Sequence, residues 1–154
     1  MNGFTRALCA PMAVAAALVL LPATAFAAAD IAKLTQEATA GNAEAQFQLG
    51  NALTKGDGVG VDVPQGLKWY RMAADQGYPQ AQVQLAMKYA HGDGVALDHV
   101  EAEKWIVLAS RADKNDGALV NMLEGHFTPD EIQSGHTAAD QWQAQHAGTP
   151  KPAG

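Results

Sequence analysis

Cysteine is all but missing from this chain of 154 residues, which carries one, Cys9. That residue lies within the apolar stretch Ala7 to Leu21, so once the stretch is removed no disulfide framework can exist in the remainder. Cys9 does not read as a lipid-anchoring cysteine, because such a residue should end a leader and the apolar run continues well past it. Serine is nearly as scarce, with only Ser110 and Ser134. Neither stands in a nucleophile-elbow context, which leaves serine or cysteine acyl-transfer chemistry without a candidate. Long hydrophobic runs are limited to the one N-terminal stretch, short of the roughly 20 apolar residues a spanning helix needs. Basic charge is in deficit: 10 Lys and Arg against 16 Asp and Glu give −6. Such a chain is repelled by nucleic acid and by anionic membrane surfaces, and its scattered acidic residues read as a solvated exterior.

What is present begins with a leader. Met1 to Ala27 places Arg6 before the apolar run, Pro22 after it, and Ala25-Phe26-Ala27 at its end. These are the three regions of a secretory signal peptide, and cleavage is expected after Ala27. A single arginine argues against the twin-arginine route and for export unfolded. Loss of Arg6 makes the remainder one unit more acidic, and no second apolar stretch follows to anchor it in a membrane.

Self-similarity organises the rest. Residues 41–76 read again as 77–112, an offset of 36 residues without a gap. Identical pairs are Gly41/Gly77, Ala45/Ala81, Gln46/Gln82, Gln48/Gln84, Leu49/Leu85, Gly56/Gly92, Asp57/Asp93, Gly58/Gly94, Val59/Val95, Asp62/Asp98, Lys68/Lys104, Trp69/Trp105 and Ala73/Ala109. Random pairing at ordinary composition would give roughly two or three.

Each unit divides into two helices. The first carries an apolar stripe, Ala45, Leu49, Ala52 and Leu53, echoed by Ala81, Leu85 and Tyr89, at the spacing of one helix face. Gly50 and Ala86 beside the leucines suit a close approach of two helix axes. The helix ends at Gly56-Asp57-Gly58 or Gly92-Asp93-Gly94, where glycine can close a helix C-terminus. Asp62 and Asp98 open the second helix as N-caps, with Gln65 and Glu101 three positions on, able to reach back. Its buried stripe is expected to be Gly66, Trp69, Tyr70, Ala73 and Ala74, then Ala102, Trp105, Ile106, Ala109 and Ser110; both tryptophans read as core. Residues 28–40 form an N-terminal capping helix with Ile31, Leu34 and Ala38 on one face. Residues 113–146 form a degenerate C-terminal repeat and cap, with a short helix at Gly117 to Glu124. Its last helix opens at Thr128-Pro129-Asp130-Glu131 and runs to about Trp142. Residues 147–154, rich in Gly and Pro, form a frayed tail.

Ala-Gln-x-x-Leu-Gly at Ala45 to Gly50, Gly-Asp-Gly-Val at Gly56 to Val59, Asp62, Trp69-Tyr70 and Ala73-Ala74 resemble the Sel-one-like repeat family, a branch of the tetratricopeptide-like solenoids. The resemblance spans both units and, more loosely, the flanking helices. It implies an all-α, right-handed solenoid of antiparallel helix pairs whose first helices line a concave face, and a role as adaptor or scaffold, in bacteria often in the cell envelope. The chain departs from the pattern in three places: Gly66 replaces the usual Ala, Leu53 the Tyr that Tyr89 keeps, and the third unit lacks its glycine loop. Members with paired cysteines in each repeat, linked to penicillin binding, are a different subgroup.

In a solenoid each unit touches only its neighbours, which yields an extended surface suited to peptides and proteins rather than a deep pocket. The glycine loops do not read as phosphate sites, since Asp57 and Asp93 would repel an anion and no Lys-Ser/Thr follows. They also lack the oxygen-ligand ladder of a calcium loop. His126, His136 and His146 are separated by helix phase, so no zinc site is expected, and no cofactor is implied. The expected function is a periplasmic or secreted adaptor, not an enzyme, that binds a protein or peptide partner of the envelope through Asn51, Lys55, Gln84 and Lys88. Two rivals are a small envelope hydrolase using His136 and Asp140 as acid and base, and a self-associating structural element stacked through its ends.

Overall fold

The computed structural model describes residues 23–112, 123 and 125–148. The signal-peptide reading therefore falls largely outside the described residues, as do residues 113–122 and 124, which include most of the expected short helix, and residues 149–154 of the tail. The helices are α1 (Ala23–Thr39), α2 (Ala43–Lys55), α3 (Val63–Asp75), α4 (Pro79–His91), α5 (His99–Ala112) and α6 (Pro129–His146), and no strand occurs among the described residues. Each helix packs on its neighbour in sequence, from α1 on α2 through to α5 on α6. This is the α-solenoid expected from the repeat.

Local chemistry sets the helix ends. Asn42 Oδ1 accepts from the Ala45 N–H at 2.9 Å, and Asp62 and Asp98 accept from Gln65 and Glu101 at 3.0 and 2.9 Å, each relieving an unpaired first-turn donor. α2 and α4 both stop on a glycine of positive φ, Gly56 at 81° and Gly92 at 68°. The loops that follow are bonded alike in both units: Asp62 N–H donates to Leu53 O at 2.8 Å and Asp98 N–H to Tyr89 O at 3.0 Å. A reach-back by Glu101 is not what forms. Its carboxylate instead takes Lys104 Nζ at 2.7 and 2.6 Å and lies 3.9 Å from Arg71, because full charges offer it stronger partners than a neutral amide. The reciprocal capping box forms at Thr128 and Glu131, and α6 continues one turn past Trp142 to His146.

Gly66, one of the departures from the family pattern, has a steric cause. A Cβ there would lie 2.6 Å from Thr54 Cγ2 and 2.9 Å from Gly50 O, so α2 and α3 cross at a distance only a glycine pair allows. The second unit places Ala86 and Ala102 at the same two positions, both fully buried.

The core has two parts. A small one joins Ala38, Ala45 and Leu49, with Leu34, Leu53 and Trp69 packed against it. The larger runs from Ala43 and Leu67 through Trp105 to Phe127 and Ala139. Two expectations need correction. Trp69 is only partly buried, whereas Trp105 is 0 % exposed. Arg71 and Lys104 lie over the Trp105 ring and Trp142 meets its edge, while Thr35 stands one repeat upstream of Arg71 and offers Trp69 no comparable cover. Nor is α5 buried along one stripe: Ala102 through Ala109 are all buried, with α4 on one side and α6 on the other, while Ser110 is half-exposed.

Candidate interaction surface

Of the four residues expected to meet a partner, Lys55 is exposed and Asn51, Gln84 and Lys88 are half-buried. Asn51 Oδ1 accepts from the Tyr70 hydroxyl at 2.8 Å, and Tyr70 Oη also lies 3.1 Å from Thr54 Oγ1. Burial raises the Tyr70 pKa, opposed by the Thr54 hydrogen bond and by the charge of Lys88. The Lys88 ammonium is itself paired with Asp93. In repeat register Lys88 corresponds to Ala52, which is buried, so this lysine emerges from an inward position and turns to the loop carboxylate at its own helix end. Asn51 and Lys88 thus help to build the joint around Tyr70, and Lys55 is the member of the set most open to solvent.

Sequence reasoning missed a cation–aromatic cluster at the joint of the two repeats. Arg71 Nη2 donates to Tyr89 Oη at 2.9 Å and its guanidinium sits 5.9 Å from the Tyr89 centroid and 5.1 Å from that of Trp105; Lys104 Nζ lies 4.7 Å from the same indole. Lys68, the repeat equivalent of Lys104, is exposed, so the 36-residue register alone carried no sign of it.

His136 and Asp140, the acid and base of the hydrolase alternative, each contact α5. His136 Nε2 lies 3.3 Å from Glu103 Oε1, a carboxylate fully buried on α5, and Asp140 pairs with Arg111 at 2.8 Å. Proximity in sequence suggested an acid and base side by side; α5, packed across α6, places a carboxylate beside His136 and a guanidinium beside Asp140. His99 stacks on Phe127 at 4.7 Å and meets Glu131 Oε1 at 3.1 Å. The Glu131 pKa is held down by the Thr128 backbone N–H, then by the Thr128 hydroxyl and His99. Among the described residues no three His, Cys, Asp or Glu converge as a metal site. An apolar cavity of about 440 Å³ opens beside Leu97, His99 and Phe127.

With this geometry in view, the Sel1 repeat model matches residues 43–78 and 79–114, the same 36-residue period shifted by two positions. Among solved structures, a protective antigen of uropathogenic Escherichia coli displaying an SLR fold is 37% identical with a TM-score of 0.71, over 76% of this chain and 26% of its own. The chain belongs to the Sel1-like repeat family. A Sel1 repeat protein from Oxalobacter formigenes is 26% identical with a TM-score of 0.62, over 75% of this chain and 50% of its own. This Sel1-like chain thus spans about a quarter and a half of the lengths of those two proteins. None of the curated proteins matches it. Sel1 repeats are generally scaffolds for protein interaction.

Proposed function

We propose that this protein is an exported adaptor, periplasmic or secreted, that holds a protein or peptide of the cell envelope on the face carrying Lys55 and Gln84. The observation that carries the reading is the pair of consecutive Sel1 repeats, whose loops are bonded alike and whose helices stack neighbour on neighbour into an extended surface. Export is supported by the leader pattern of Met1 to Ala27. A non-enzymatic role is favoured by the engagement of His136 with Glu103 and of Asp140 with Arg111, which gives each of the two a partner on α5.

A photoreactive residue at Gln84, crosslinked in intact cells, tests the adaptor reading. One dominant envelope protein is the expected catch, and Lys55→Glu should weaken its recovery. Recovery of nothing, in repeated trials with the protein folded and exported, would overturn the proposal. A second reading, self-association, is favoured by Val61 and Leu97, equivalent loop positions that are 65% and 60% exposed. A mass that rises with concentration is its sign.

A further inference from the structure

The 36-residue register exposes one polar atom whose partner the second repeat omits. In the first repeat Gln46 is buried between α1 and α3: its Nε2 donates to Ala38 O at 3.0 Å, and its Oε1 accepts from Gln76 Nε2 at 2.7 Å. In the second repeat Gln82 repeats the first bond, Nε2 to Ala74 O at 3.1 Å. Its Oε1 has no hydrogen-bond partner, although the residue is 2% exposed. The residue equivalent to Gln76 is Ala112, whose methyl group cannot donate. A buried acceptor without a donor costs on the order of 1–3 kcal/mol, so its retention beside a cavity needs an explanation.

The cavity is where the missing side chain would be. About 170 Å³ of space is lined by Gln82, Ala112, Arg111, Trp142, Gln143 and Gly77. That exceeds the roughly 30 Å³ share of one water. Its wall is chemically differentiated: an acceptor at Gln82 Oε1, the Trp142 indole, one face of which is stacked on His146 at 4.0 Å, and the Arg111 guanidinium. Arg111 donates from Nη1 to Gln143 Oε1 at 2.6 Å and pairs through Nη2 with Asp140 at 2.8 Å, and a guanidinium has five N–H groups in all. A ligand that matches this wall presents an N–H donor and a carbonyl acceptor on one small planar group that can lie against an indole.

We propose that this cavity is a subsite for a primary carboxamide, the side chain of an Asn or Gln in a bound polypeptide, which gives Gln82 the bond that Gln76 gives Gln46. The N–H₂ donates to Gln82 Oε1 and the carbonyl accepts from Arg111. For the source of the carboxamide this rests on the adaptor reading, while the subsite itself is tested without any partner.

The probe is N-acetyl-glutamine N-methylamide, titrated into ¹⁵N-labelled protein while the Gln82 amide and Trp142 indole signals are followed; N-acetyl-methionine N-methylamide, which lacks the carboxamide, is the control. The expected result is a saturable shift with the glutamine probe and none with the methionine probe. Ala112→Gln should fill the cavity from within, abolish the shift and leave thermal stability equal or higher, since position 112 is exposed. Gln76→Ala should leave the shift at Gln82 intact and add no saturable shift at Gln46, since the residue equivalent to Arg111 is Asp75, which has no N–H to offer the carbonyl. Equal response to both probes, no saturation in the natural protein, or an undiminished shift in Ala112→Gln would each overturn the subsite. None of those outcomes would bear on crosslinking at Gln84, so the two proposals fail separately.

Discussion

Trp69 and Trp105 occupy the same position in successive repeats, yet replacing them by alanine should cost different amounts. A buried indole removes roughly 150–250 Å² from water, and at about 25 cal/mol per Å² this amounts to about 4–6 kcal/mol before any relaxation. Measured Trp-to-Ala losses in cores cluster at about 3–5 kcal/mol. Trp105 is fully buried and has the cations of Arg71 and Lys104 over its ring, so Trp105→Ala should reach that range. Trp69 is partly exposed and packs on the small cluster of Ala38, Ala45 and Leu49, so Trp69→Ala should cost about half as much. Against a total of about 5–15 kcal/mol, the Trp105 change removes a large share. Urea unfolding followed by far-ultraviolet circular dichroism measures both. Because Trp105 joins α5 to α6 and to Arg71 of the preceding repeat, its loss should also broaden or split the transition, as weakened coupling between repeats does. Equal losses in the two variants would refute the reasoning, since it depends on their unequal burial.

Three further outcomes follow from the same geometry. Gly66→Ala should lower stability by about 1–3 kcal/mol, because its Cβ would collide with Thr54 and the Gly50 carbonyl, while Ala102→Gly should show no relief of strain; thermal melts of the two variants decide it. Gly135→Ala should loosen α6 from α5, since a Cβ there would fall 2.4 Å from Glu103, and amide exchange along α6 should rise more than along α2. Glu131 has a depressed folded pKa, so its contribution is present above the unfolded value of 4.5 and is lost as pH falls through the folded value; Glu131→Gln should therefore be less stable than the natural protein near neutral pH and approach it in acid, as paired melts from pH 6 to pH 3 would show.

Much of the fold was legible because it is local. Asp62, Asp98 and Thr128 cap helices through a backbone N–H three residues on, and Gly56 and Gly92 end helices by their own conformation, so each signal lies within a few residues of its effect. The candidate surface was legible only in outline. Asn51 was chosen by helix phase, but its acceptor is taken by Tyr70 19 residues away, and the Lys88 ammonium is drawn to Asp93 by a turn that phase does not describe. His136 and Asp140 looked like a pair one turn apart, and α5 supplies them with Glu103 and Arg111 as partners, which their spacing along α6 does not reveal.

From sequence alone came the period of 36 residues, the two helices of each unit, their ends, and membership of a stacking repeat. These depend on hydrophobic phase and capping, which are repeated in every unit. Only the tertiary structure decided which copy of a repeated residue is sealed: Trp105 and not Trp69, Gln46 satisfied and Gln82 not, α5 buried around its circumference where one stripe was expected. Equivalent positions carry the same local instructions but meet different neighbours, α1 at one end of the stack and α6 at the other. Burial and partner choice are set by those neighbours.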